Sequence, residues 1–144
     1  MISACETEDG VVFDMSELEA DALRSYADGL IADPKHPFVE LLRSQGLVVG
    51  DTPVPHLAVL LEAFSQATKV LTAWVIAPAG CRRATFFVGP HSAVVSRCDE
   101  GGLYAGEDDL LSVWAIDSAQ LRETFVELSA LGEPSGEGIV PTAV

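Results

Sequence analysis

Positive charge is scarce in this chain. Lys and Arg total 8 against 22 Asp and Glu among 144 residues, which gives a formal net charge of −14. Nucleic acids and anionic membranes both attract proteins through basic surfaces, so this balance argues against both as partners. The acidity itself favours solubility and can steer cationic partners toward the protein.

Long apolar runs are also missing. No run reaches the roughly 18 residues that are needed to span a bilayer. The first ten residues, MISACETEDG, lack the basic and apolar regions of a secretory signal. We therefore expect a cytoplasmic protein. Hydrophobic residues nevertheless make up 49% of the chain, and its length is enough to bury a sizeable core.

Cysteine is sparse, and its spacing carries no metal motif. Cys5, Cys81 and Cys98 form no CxxC pair, so reduced thiols are a better interpretation than a zinc site. Our predicted hairpins place Cys81 and Cys98 diagonally on neighbouring strands, which leaves a disulfide geometrically open. The redox state of that pair is not decided by the sequence.

Catalytic signatures are absent as well. None of the three histidines has another His or Cys three or four residues away, and no dinucleotide, Walker, GxSxG or HExxH motif occurs. A nucleophile–base pair between Cys81 or Cys98 and a distant histidine stays open, although no motif supports it. We therefore predict no catalytic residue, metal or cofactor, and we favour a binding protein over an enzyme.

The most informative stretch runs from residue 69 to 117. Short segments rich in Val, Ile, Phe, Trp and Thr alternate with turn residues, which is typical of an antiparallel meander. The segment 69–77 is apolar on both faces and predicts a central strand with cover on each side. Further strands are expected at 82–88, 92–98, 103–105 and 110–116, with a turn at 99–102.

The second predicted hairpin has a consequence for charge. If it closes at residues 89–91, Phe87 lies near Ala93 and Arg83 lies near Arg97. Two arginines in that position would repel each other unless acidic groups lie nearby. We expect those acids to come from this chain rather than from a partner.

Helices are predicted on either side of the meander, each from its own start and end signals. Ser16 and Glu19 form a capping box, and that helix should end near Ala32 because Asp33-Pro34 follows. The remaining helices start at Pro37, at Pro53 or Pro55, and at Asp117 or Ser118, and they end near Gly46, Ala67 and Gly132. The third carries an apolar stripe of Leu57, Leu60, Leu61 and Phe64, and the last carries one of Leu121, Phe125, Leu128 and Leu131.

These elements predict one α+β domain over residues 11–132. It has N-terminal helices, an antiparallel sheet of about four to five strands in a meander, and a C-terminal helix. Residues 1–10 are expected to be a flexible acidic N-terminus, and residues 133–144 a disordered tail.

The order of these segments resembles one half of the EspG family, the cytosolic chaperones of actinobacterial type VII (ESX) secretion. The resemblance lies in a helix that ends in Gly, a Pro-started helix that leads into the meander, and a closing strand–cap–helix segment. The positions that carry it are Gly46, Pro55, Leu57, Arg82, Arg83, Val94, Ser118 and Leu121.

That resemblance implies a pseudo-twofold α/β fold around a central antiparallel sheet. It implies a non-enzymatic chaperone that binds the tip of a PPE protein in a PE–PPE heterodimer and keeps the pair soluble. Because this chain is about half the usual length, the resemblance further implies a C2 homodimer that rebuilds the pseudo-twofold. The expected partners are thus a second copy and a secreted helical protein.

Six residues are candidates for partner or dimer contact: Trp74, Arg82, Arg83, Phe87, Arg97 and Trp114. Two other functions stay open. One is a small-molecule-binding or enzymatic α+β domain, with a pocket lined by Trp74, Trp114, Phe86 and Phe87. The other is an immunity or antitoxin-type protein, for which strong acidity would suit a basic toxin.

Overall fold

A computed structural model describes residues 2–8, 10–77, 80–100 and 110–129. The helices are α1 (Glu17–Ala27), α2 (Pro37–Ser44), α3 (Pro55–Ser65) and α4 (Leu121–Ser129), and a 3₁₀ turn, Ser118–Gln120, precedes α4. The strands are β1 (Ser3–Thr7), β2 (Gly10–Met15), β3 (Val48–Val49), β4 (Thr52–Pro53), β5 (Lys69–Ala77), β6 (Gly80–Val88), β7 (Ser92–Glu100) and β8 (Leu111–Asp117). Within these ranges, no helix has both the length and the apolar character needed to cross a lipid bilayer.

A six-stranded antiparallel sheet organises the domain, and its strand order is β1-β2-β8-β7-β6-β5. The α+β class and the meander of β5 to β8 are as predicted from the sequence. The strand count is higher than predicted, because residues 3–7 form β1 instead of a flexible N-terminus and pair with β2. This N-terminal hairpin then joins β8, so two strands precede the first helix. A separate small hairpin of β3 and β4 lies between α2 and α3.

α1 and α2 begin where predicted, and α3 begins at Pro55, the second of the two predicted starts. The last helical segment begins with the 3₁₀ turn at Ser118, and α4 itself begins at Leu121. Ser16 Oγ accepts a hydrogen bond from the Glu19 backbone, and Glu19 Oε1 accepts one from the Ser16 backbone. α1 ends at Ala27, earlier than the predicted Ala32, because the chain turns at Gly29 with a φ of +79°. A backbone with positive φ cannot continue a right-handed helix. The predicted short strand at 103–105, Leu131 and the tail at 133–144 lie outside the described residues.

The three N-terminal helices cover one face of the sheet. Met15, Val94 and Val113 project from this face and are fully buried. They pack with Leu23 of α1 and the predicted apolar stripe of α3, together with other residues of one large cluster. Burial of apolar side chains on this scale is the main stabilising term of such a domain. We call this side of the sheet the α1–α3 face.

A smaller cluster lies on the opposite side, which we call the α4 face. Ala84, Phe86 and Val95 are buried there against Leu128 of α4. Arg82 adds a polar link, since its Nη1 donates to the backbone carbonyl of Leu128 at 3.3 Å. A cation at the last turn of a helix also suits the helix dipole. Helices therefore cover part of each face of the sheet.

The strand that is covered on both faces is β7, not β5. Ala93, Val94 and Val95 are all fully buried, and they point alternately to the two faces. The prediction of a central strand at 69–77 was wrong in its position, because β5 is the last strand of the sheet. Its bounds were right. Its apolar side chains are instead exposed on both faces of the sheet.

Candidate functional site

A groove of about 280 Å³ opens between α1 and the edge of the sheet that ends in β5. We call it the α1–β5 groove. Its floor belongs to the α1–α3 face of the sheet, since alternate residues of β5 and β6 point there in register. Its lining consists of Glu17, Ala20, Asp21, Arg24, Phe64, Thr72, Trp74, Arg83, Thr85, Phe87, Ser96, Leu111 and Val113.

The outer side of the groove carries Trp74 and Arg83. These residues are register partners on β5 and β6, and the Arg83 guanidinium carbon lies 5.7 Å from the Trp74 ring centroid. Arg83 Nη2 also lies 3.3 Å from Glu17 Oε1 of α1. The indole side chain is still 53% exposed. A partly exposed Trp that an arginine holds in place by a cation–π contact is suited to contact a ligand or partner.

The inner side of the groove is built around Phe87. Its ring stands edge-on to that of Phe64 at a centroid distance of 5.2 Å. The Arg24 guanidinium carbon lies 4.8 Å from the same ring. Phe87 is half-buried and joins the large core cluster, so it connects the groove to the packed interior. The inner wall is thus held by packing as well as by charge.

The sequence reasoning missed the contribution of α1. Glu17, Asp21 and Arg24 line the groove, and none of them is among the predicted contact residues. Glu17, Asp21 and Arg24 stand at positions i, i+4 and i+7, which places them on one face of a helix. That spacing is the signal that could have found them. Their carboxylates and guanidinium give the groove wall both signs of charge.

The remaining predicted residues lie on the opposite face of the sheet. Arg82, Arg97 and Trp114 project from the α4 face, and Trp114 packs in the small cluster beneath α4. The six predicted contact residues therefore divide into Trp74, Arg83 and Phe87 at the groove and these three behind it. The structure does not bring the two sets together.

The predicted register of the second hairpin was off by one residue. Phe87 pairs with Val94 and Val88 with Ala93, so Arg83 lies opposite Cys98 instead of near Arg97. The side chain that shares a face with Arg97 is that of Arg82. The expectation that acids of this chain balance the arginines holds for both rows. Asp99 binds Arg82 and Arg97, and Glu17 binds Arg83.

The predicted aromatic pocket is not a single site. Trp74 and Phe87 line the α1–β5 groove, whereas Phe86 and Trp114 belong to the cluster on the α4 face. The Phe86 ring lies 5.8 Å from that of Phe125 on α4, as expected for core packing. Alternation along the strands puts the two pairs on opposite sides of the sheet.

The histidines and cysteines of the described residues do not line this groove. His36 caps α2, where its Nδ1 accepts from the backbone of Phe38, and His56 packs beside Phe13. All three cysteines are free thiols, and none lines the groove. Across the described ranges, no group of His, Cys, Asp and Glu is arranged to hold a metal ion. The groove offers aromatic surface, hydroxyl groups and opposite charges, a combination suited to binding.

Comparison of the chain with protein-family models, with curated proteins and with solved structures found no match.

Proposed function

We propose that this chain is a non-enzymatic adaptor or chaperone that binds another protein through the α1–β5 groove. The observation that carries the proposal is the half-exposed Trp74, held by Arg83 at the open side of the groove. Trp and Arg are the residues most often found to dominate protein–protein binding energy. Here they stand together beside a concave surface whose inner wall is packed.

The charges of the groove indicate what kind of protein segment would be complementary to it. Glu17, Asp21 and Arg24 of α1 line the groove together with Arg83 of β6, so its wall carries both signs of charge although the chain is acidic. An apolar side chain entering beside Trp74, flanked by polar or charged residues, fits this arrangement. An amphipathic helix presents such side chains at regular spacing. The resemblance to the EspG family makes this proposal more specific: the partner is a secreted helical protein and the role is that of a cytosolic chaperone.

The shape of the groove favours a protein over a small molecule. Small-molecule sites usually enclose roughly 300–1,000 Å³ and bury most of the ligand. The α1–β5 groove is slightly smaller, at about 280 Å³, and its outer side carries an exposed indole. An open groove of this size accepts one or two side chains of a larger partner.

The test is a comparative pull-down from a lysate of the source organism with the wild-type chain, Trp74→Ala and Leu18→Ala. Leu18 is the matched control, because it is an exposed apolar residue on the same helix as Glu17 and does not line the groove. Proteins that bind the groove are captured by the wild type and by Leu18→Ala but are depleted with Trp74→Ala.

The captured protein is then purified and titrated by calorimetry. We expect Trp74→Ala to raise its Kd by at least about tenfold, as loss of an interface hot spot does. The proposal is wrong if every captured protein binds Trp74→Ala as tightly as it binds the wild type.

A further inference from the structure

In the part of the chain that the structure describes, the outer edge of β5 is a long strand edge without the usual protection. β5 pairs with β6 at all nine positions from Lys69 to Ala77, without a bulge, and no described strand pairs with its other side. Its length is about 30 Å. Natural edge strands are usually shortened, bulged, or interrupted by Pro or charged residues. β5 contains no Pro, and its single charge, Lys69, stands at its first residue.

The side chains of this edge are apolar on both faces of the sheet. Val70, Trp74 and Ile76 are 48%, 53% and 65% exposed on the α1–α3 face. Leu71 is 52% exposed on the α4 face. A strand that added to this edge would satisfy its backbone groups and cover apolar surface on both sides at once.

We propose that the occupant of this edge is β5 of a second copy, in antiparallel pairing about a twofold axis perpendicular to the sheet. This axis keeps each side chain of the second copy on the same face of the sheet as in the first copy. It therefore allows only registers in which one residue lies opposite the same residue of the second copy. Overlap of all nine residues places that residue at Ala73. Thr72 then lies opposite Trp74, Leu71 opposite Val75, and Val70 opposite Ile76 of the second copy.

Charge favours a second copy over an unrelated strand. A partner attracted by the net charge of −14 would be basic, but β5 offers no acidic side chain to pair with it. The edge instead suits an apolar strand whose central residues are uncharged, and β5 is itself such a strand. In the Ala73 register Lys69 lies opposite Ala77 of the second copy, so the two lysines stand at opposite ends of the interface. Like charges are therefore never placed opposite each other.

The pairing would have a consequence for the α1–β5 groove. The axis is perpendicular to the sheet, so both copies would present their grooves on the same side of one twelve-stranded sheet. Thr72 of the second copy would lie beside Trp74 and extend the floor between the two grooves. The dimer itself does not depend on what the groove binds, so it can be tested without that partner.

The test uses two double variants of the full chain at the exposed positions Val70 and Ile76. Val70→Lys with Ile76→Lys places two lysine pairs opposite each other in the Ala73 register. Val70→Lys with Ile76→Glu removes the same apolar side chains but places Lys opposite Glu twice. No other register places residue 70 opposite residue 76. The Lys/Glu variant therefore controls for the loss of apolar area, and its difference from the Lys/Lys variant tests the register.

Sedimentation equilibrium gives the mass and the dissociation constant of each protein. We expect the wild type to have twice the 15.2 kDa of one chain. We expect the Lys/Lys variant to dissociate with a Kd at least about tenfold higher, and the Lys/Glu variant to remain dimeric. Circular dichroism confirms that both variants are folded.

Three results would overturn the inference. The first is a wild type that stays monomeric at tens of micromolar. The second is a Lys/Lys variant that dimerises as well as the wild type, because the interface would then lie elsewhere. The third is loss of the dimer in both variants to the same extent, which would exclude the Ala73 register.

Discussion

Arg82 and Asp99 face each other across β6 and β7, with Arg82 Nε 2.6 Å from Asp99 Oδ1. The other carboxylate oxygen, Oδ2, accepts from Arg97 Nη2, also at 2.6 Å. One carboxylate thus bridges two guanidinium groups on the α4 face. The Arg82 side chain is only 12% exposed, and a charge that is buried to this extent destabilises the fold unless an opposite charge pairs with it.

Replacing Asp99 with Asn should destabilise the fold. The variant keeps the shape of the side chain but removes the anion between Arg82 and Arg97. Because Asp99 is itself 47% exposed, solvent screens the interaction, and we expect a loss of about 1 kcal/mol. Urea unfolding measures it. Asp51→Asn is the control, since Asp51 also binds an arginine, Arg43, but is far more exposed and should change stability little. Equal losses in the two variants would contradict the argument.

The same carboxylate predicts a pH dependence. Burial raises the pKa of Asp99, but hydrogen bonds from Arg97 and Arg82 and their charges outweigh it and hold the pKa below its ordinary value of 3.8. The unfolded chain therefore binds this proton at a higher pH than the folded chain does. The contribution is complete above the ordinary pKa and is lost as the pH falls through the lowered one. In urea unfolding from pH 7 downward, the stability gap between wild type and Asp99→Asn should narrow only below about pH 4. A stability difference between the two proteins that grows as the pH falls would contradict a lowered pKa of Asp99.

The sequence predicted correctly that acidic residues of this chain pair with the arginines, but it misplaced the arginines relative to each other on the sheet. That acids of this chain balance the arginines followed from charge alone. Which arginine shares a face with Arg97 depends on hairpin register, and a shift of one residue moves each side chain to the other face. We placed the turn at residues 89–91, whereas four residues, 89–92, connect the paired Val88 and Ala93. No local composition at this turn distinguishes the two lengths.

The position of β5 in the sheet could not be read from its composition. A strand that is apolar on both faces is expected either between two layers of helix or at an edge that another chain covers. Strand order depends on which strand pairs with the N-terminal hairpin. β2 pairs with β8 and leaves β5 at the end, and this long-range pairing has no local signal. Helix starts were predicted correctly because caps such as Ser16 act within four residues.

The Ser16 cap itself can be measured. Ser16→Ala removes the oxygen that accepts from the Glu19 backbone and breaks the reciprocal capping box of α1. We expect a loss of about 1 kcal/mol in the free energy of unfolding. Ser44→Ala is the control, because Ser44 is exposed at the end of α2 and its hydroxyl only donates to the preceding turn at Leu41. A Ser16→Ala protein as stable as Ser44→Ala would show that the cap has no net effect.

Gly89 is required by a close approach between α3 and the turn after β6. A Cβ at this position would stand 2.8 Å from the backbone carbonyl oxygen of Gln66, which cannot rotate away as a side chain can. We expect Gly89→Ala to lower stability by about 1–3 kcal/mol, the usual range for overpacking. The sign of the stability change distinguishes the two cases. Without a close contact, alanine would stabilise the protein, because it lowers the conformational entropy of the unfolded chain. Thermal unfolding with a raised Tm would therefore refute the contact.

Leu128 is the buried residue that α4 contributes to the small cluster on the α4 face. Leu128 is 6% exposed and packs on Ala84, Phe86 and Val95, so Leu128→Ala should cost about 2–4 kcal/mol through lost burial and the cavity left behind. Val126→Ala is the control, since Val126 is 59% exposed on the same helix and should change stability by less than about 0.5 kcal/mol. Urea denaturation with an unchanged m-value gives both numbers. Similar small losses in the two variants would mean that α4 contributes little to holding this face of the sheet.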